Sequence, residues 1–356
     1  MLEYFLGSYM ITFAGILLAY VWGEHVHPGS GLTCVFISLV LGALEVSLSF
    51  DNAVVNAMKL ENMDKKWRHR FLTWGIIIAV FGMRFVFPIL VVSIFAHIDM
   101  LKVAQIAISD SNQYASYLQQ THAPIVTFGG MFLIMLFLNY FFDNNKVVHW
   151  IKPIEPWLAK VEQMNGLEIF LSLILLLITQ KFVPEEMKVP VMVAGMSGIA
   201  TYLVIEGFTE FLESKEEKQK STDIGKAVGS AGLVSFIYLE LIDASFSLDG
   251  VLGAFALSND IIIISIGLGI GAMFVRSLTI MLVEKKTLSK FLYLEHGAHW
   301  AIGALAILML VSTVKEIPEI VTGGIGLAFI ICALISSVLH NKKMERLLAE
   351  EKTTNA

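Results

Sequence analysis

The chain has 356 residues, of which 56% are hydrophobic and 16% charged, with a formal net charge of −6. That composition excludes an ordinary soluble domain and a disordered chain, both of which carry more charge or less apolar bulk. No basic groove with interleaved aromatics suggests nucleic acid, and no phosphate-binding loop supports coupling to ATP within the chain.

The apolar residues fall in ten blocks, at about 5–22, 31–57, 72–95, 124–142, 167–183, 189–208, 229–257, 260–283, 298–314 and 318–339. Each has the roughly 17 or more residues that a helix needs to cross a ~30 Å hydrocarbon core. The alternation of a barrel strand is absent, so the expected fold is all-α, a polytopic membrane protein with about ten transmembrane helices. The first block follows Met-Leu-Glu-Tyr rather than a basic segment and is expected to be retained. Cys34 and Cys332 match no ligand or disulfide spacing and are read as packing residues. His25 and His27 in the first outer loop are read as solvated, and 96–123 as an external cap or amphipathic segment.

With the N-terminus inside, the inner loops and tail hold Lys59, Lys65, Lys66, Arg68, Arg70, Lys146, Lys152, Lys160, Lys215, Lys218, Lys220, Lys226, Lys285, Lys286, Lys290, Lys342, Lys343, Arg346 and Lys352. The outer side holds only Lys102, Lys181, Lys188 and Lys315, a count of 19 against 4. The positive-inside rule therefore puts both termini in the cytoplasm, in a cytoplasmic (inner) membrane. The run 211–228 reads as a charged cytoplasmic linker, and 341–356 as a cytoplasmic tail able to continue the last helix.

One short motif occurs twice: Ser-Leu-Ser-Phe-Asp-Asn at 47–52 aligns with Ser-Phe-Ser-Leu-Asp-Gly at 245–250, matching Asp51 with Asp249. Six residues before each aspartate stands a second carboxylate, Glu45 and Asp243, and the helix after each motif carries a lone arginine, Arg84 and Arg276. The copies lie five helices apart and so run in opposite directions. That is the pattern of two inverted five-helix repeats, 1–188 and 189–340, an architecture common among secondary transporters.

A charged carboxylate at the bilayer centre costs about 2.5–3.5 kcal/mol on insertion scales. Glu45, Asp51, Glu240, Asp243 and Asp249 must therefore be protonated, paired or bound to metal, and two arginines cannot neutralise five carboxylates. On a regular helix Asp249 lies about 120° from Asp243, and Asp51 is displaced equally from Glu45. Bringing each pair to one centre requires helices 2 and 7 to be discontinuous, and the serines, Asn52 and Gly250 tolerate such a break. The donors are hard oxygens, which select Mg, Ca or Mn over softer metals. The alternative reading is that the carboxylates pair with Arg84 and Arg276 as ties between helices, the arginines serving in charge pairing or gating.

At Glu-Val-Ser-Leu-Ser-Phe-Asp-Asn (45–52), Asp-Ala-Ser-Phe-Ser-Leu-Asp-Gly (243–250) and the arginine-bearing helices that follow, the chain resembles the TerC family of integral membrane proteins, within the LysE-like transporter group. The resemblance implies manganese export and a link to tellurium resistance, with Glu45, Asp51, Asn52, Asp243 and Asp249 as metal ligands. Glu240 joins that set by its place on the Asp243 face. The ten expected helices and the long 96–123 connection exceed the family's usual seven to nine helices.

Glu295, His296 and His299, at the inner mouth of helix 9, could form a cytoplasmic access site for metal. The function expected is a non-enzymatic secondary transporter exporting a divalent cation, manganese foremost, in exchange for protons. The cation is cargo and no prosthetic group is called for; the partners are the lipid bilayer and the ion. An intramembrane metal-dependent enzyme and a scaffold of a metal-stress complex are the alternatives.

Overall fold

The structure is a computed structural model and describes residues 2–26, 28–61, 63, 65–143, 146, 148–160, 166–219, 232–243, 254, 257–258, 260–285, 291–315 and 317–354. Among these residues every regular element is helical. Seven helices are long and apolar enough to cross a membrane: Glu3–Val26, Gly31–Leu48, Asn112–Phe142, Glu185–Phe208, Ile261–Glu284, Leu294–Ser312 and Val321–Leu347. The chain is an all-α, multi-pass membrane protein.

In chain order the helices are α1 (Leu2–Val26), α2 (Gly31–Leu48), α3 (Phe50–Glu61), α4 (Lys65–Ile77), a π-helical segment (Ile78–Val86), α5 (Phe87–Ala96), α6 (Met100–Ser109), α7 (Ser111–Phe142), α8 (Glu155–Lys160), α9 (Leu167–Phe182), α10 (Glu185–Gln219), α11 (232–243), α12 (Ile261–Glu284), α13 (Leu294–Ser312) and α14 (Glu319–Thr354).

Three of the ten apolar blocks are not among the seven spans, each for a visible reason. The block at 72–95 is divided between α4, the π segment and α5. The block at 167–183 becomes α9, whose 16 residues rise only about 24 Å. Of the block at 229–257, a helix is described over 232–243. The expected external segment 96–123 is helical too, as α6 and the first third of α7, because Tyr114, Leu118 and Thr121 recur at helical spacing and are buried. The charged run from 211 is helix as far as Gln219, being rich in Glu, Lys and Gln, which favour helix. The rest of the expected linker lies outside the described residues. The tail does continue the last helix, to Thr354.

The break expected in helix 2 is found at Ser49, which separates α2 from α3 with φ −99° and ψ 18°. It is a bend rather than an unwound stretch: the Ser49 amide still donates to Glu45 O at 2.9 Å, and the Ala53 amide to Ser49 O at 3.1 Å. The break expected in helix 7 falls on 244–250, outside the described residues.

Helix α12 is the hub, packed by α1, α2, α3, α4, α6 and the π segment. Glycines allow α2 its closest approach. A Cβ on Gly267 would lie 2.6 Å from Leu41 Cβ and 2.8 Å from Ser38 O, and one on Gly271 would lie 2.4 Å from Glu45 Cβ. This is packing of small residues four apart, which draws apolar helices together where no hydrophobic gain is available. Polar bonds fix the neighbours. Ser8 of α1 donates to Met273 O at 2.8 Å, and Trp22 Nε1 donates to Asp260 Oδ2 at 2.7 Å where α1 ends and α12 begins.

A second apolar core gathers α3, α7, α10, α11, α13 and α14 around Phe132, Leu133, Leu239 and Ile302. Helix α1 packs on α2 and α12, and α10 on α7 and α9. Cys34 packs as expected, with Sγ 2.8 Å from the position of a Cβ on Gly23, but Cys332 is exposed on the outside of the bundle.

Gly271→Val should lower the thermal midpoint of the detergent-solubilised protein, by an overpacking penalty of about 1–3 kcal/mol. Gly324→Ala should leave it unchanged, since nothing lies within 4 Å of the added carbon.

Candidate functional site

The two acidic motifs meet. Asn52 in the first turn of α3 donates from Nδ2 to Asp243 Oδ1 at the described end of α11, at 2.6 Å and across 191 residues. Both side chains are buried, Asn52 at 2% and Asp243 at 8% exposure. One turn before Asn52, the Ser49 hydroxyl donates to the buried Glu45 carboxylate at 3.1 Å. Glu45 lies against Gly271, and any larger residue there would displace it.

Glu240 precedes Asp243 by three residues on α11, which puts the two on one face. Its carboxylate and the guanidinium of Arg276 on α12 both reach Gly75 of α4: a Cβ there would lie 2.8 Å from Glu240 Oε1 and 3.5 Å from Arg276 Nη1. Arg276 is buried, feels the charges of Glu240 and Asp243, donates to Phe71 O and has Cζ 5.3 Å from the Phe71 ring centroid. Asp243 Oδ2 and Glu240 Oε1 are buried and accept no hydrogen bond among the described residues.

The chemistry follows from the charges. Among the described residues the buried carboxylates of Glu45, Glu240 and Asp243 outnumber the buried guanidinium of Arg276. A divalent cation or protons would offset an excess of ionised carboxylate. The oxygens form a seam rather than one closed coordination sphere. No three His, Cys, Asp or Glu among the described residues lie close enough to hold a metal ion together. The side chains of Asp51, Arg84 and Asp249 lie outside the described residues, and the backbone of Arg84 belongs to the π segment.

The expected access cluster is rearranged. Glu295 is exposed, and its carbonyl accepts from His299 Nδ1 at 2.8 Å. His299 stacks on Tyr140 with ring centroids 3.4 Å apart. His296 turns instead to Glu155, with Nδ1 2.9 Å from Oε2. Glu155, at 1% exposure, also accepts from Trp300 Nε1 at 2.9 Å and from the Trp150 amide at 2.7 Å, with His149 Nδ1 3.9 Å away.

Sequence reasoning missed Glu155. The available signal was a lone carboxylate between Pro153 and Pro156 in a connection otherwise carrying Lys152 and Lys160. Burial pushes the Glu155 carboxyl up, but His296 and Trp300, the His296 charge and the Trp150 amide outweigh it and hold the carboxyl down to about 2. With its folded value below the ordinary one of about 4.3, its stabilisation is full above that value and fades as pH falls toward 2. Glu155→Gln should therefore lower the thermal midpoint at pH 7, and the gap from wild type should narrow as pH is taken from about 5 toward 3.

No curated protein and no solved structure matches the chain. A family model described as a protein of unknown function, DUF475, matches residues 50–344, from the start of α3 into the tail of α14, and the chain belongs to that family.

Proposed function

We propose that this protein is a secondary transporter carrying a divalent cation across the cytoplasmic membrane through the seam between α2–α3, α11 and α12, with protons moving in exchange. The observation that carries the reading is the Asn52–Asp243 hydrogen bond, which joins the two acidic motifs inside an apolar bundle. More carboxylate than guanidinium suits a divalent cation, and when the cation leaves, repulsion between the carboxylates favours protons in its place. Manganese as cargo, the outward direction, cytoplasmic termini and the two inverted five-helix repeats rest on the resemblance to the TerC family, on the loop charges and on the doubled motif. Asp51 and Asp249 complete the proposed ligand set, with Arg84 as the counterpart of Arg276.

Transport is favoured over an intramembrane metalloenzyme by the doubled motif, since an enzyme needs no two inverted copies of one site.

In proteoliposomes with an internal manganese indicator and an imposed pH gradient, wild-type protein should give gradient-dependent flux. Asp51→Asn and Asp249→Asn should reduce it to the rate of empty vesicles while the proteins still insert. Wild-type flux in both variants would overturn the proposal.

A further inference from the structure

The helix formed by α2 and α3 carries its polar residues on one stripe. At about 100° per residue, Glu45, Ser49, Asn52, Asn56 and Lys59 fall within about 80° of one another. All but the last are buried inside the protein, and Lys59 is exposed where the stripe ends, 5.4 Å from the centroid of the Tyr238 ring. Val54, Val55, Ala57 and Leu60 of α3 belong to the apolar core.

Asn56 is the member of this stripe that packing does not explain. It is 5% exposed, and its Oδ1 is buried and accepts no hydrogen bond among the described residues. A buried amide oxygen left unsatisfied costs about 1–3 kcal/mol, which leucine in the same place would avoid. It sits one turn, about 6 Å of helix rise, beyond Asn52. A neutral amide oxygen is a hard donor that suits a divalent cation and holds it less tightly than a carboxylate.

From this placement we infer that Asn56 is a second cation station, lending its side-chain oxygen to a divalent ion that moves between the Asn52–Asp243 contact and the Lys59 end of α3. The inference rests on the transport reading above and adds to it a ligand that neither acidic motif contains. Because this station is neutral, an ion leaving the carboxylates passes a weaker site before release.

The test uses the full chain in proteoliposomes with manganese, calcium or magnesium outside and an indicator inside, comparing wild type with Asn56→Leu, Asn56→Ala and Asn56→Asp. Asn56→Leu and Asn56→Ala should raise the KM for manganese about tenfold, a change of 1.4 kcal/mol, with a thermal midpoint equal to or above wild type. Asn56→Asp, which restores an oxygen, should recover the manganese KM and alter the preference between manganese and calcium. A purely structural asparagine would instead lower the midpoint in all three variants and leave KM alone. Wild-type transport with an unchanged KM in whichever apolar variant folds overturns this inference and leaves the transport reading intact. Wild-type protein silent toward all three cations overturns both.

Discussion

A carboxylate in an apolar helical bundle must find a compensating charge or donor, and the Asn52–Asp243 hydrogen bond is where this protein meets that requirement most directly. Around it the remaining polar groups arrange themselves as a seam. Ser49 holds Glu45 on one side, and Gly75 leaves room for Glu240 and Arg276 on the other. A seam with more acid than base is poised for cations, since each added positive charge relieves repulsion within the low-dielectric interior.

The seam depends in turn on the close approach of α2 and α12. Gly267 and Gly271 bring the backbones near enough to exclude lipid from Glu45, and Thr279 of the same helix donates to Ala53 O at 3.4 Å. Helix α12 thus faces protein on most sides, which a helix apolar all round can do only when others surround it. Glu155 ties the connection between α7 and α9 to α13 through Trp300 and His296. The two polar centres are built differently: one gathers acidic groups around a single described arginine in the core, and the other closes a loop against a helix end.

Helices were legible because long apolar blocks have no other way to satisfy their backbone in a membrane. The break after the first acidic motif was legible as well, since Ser47, Ser49 and Asn52 weaken a helix at that point, although the structure turns it into a bend at Ser49. Less legible was the start of α7. Its polar residues read as an external cap or amphipathic segment, and only the burial of Tyr114, Leu118 and Thr121 shows which face packs against α6. Glu295 and His296 were legible as candidates but not as a pair, because neighbours in sequence point to different sides of a helix. Glu155 was illegible for a related reason: its neighbours are 145 residues away at Trp300 and 141 away at His296, and no local pattern announces such a contact. Asn56 went unnoticed because an asparagine in an apolar run gives no sign of whether its amide is satisfied.

The central claim is that the meeting of Asn52 and Asp243 builds a cation site, and equilibrium binding tests it most directly. Manganese would be titrated into purified, detergent-solubilised protein while the free ion is followed by electron paramagnetic resonance. The account predicts saturable binding, weakened about tenfold or more in Asp243→Asn. Absence of saturable binding in the wild type, or the same affinity in the variant, would contradict it.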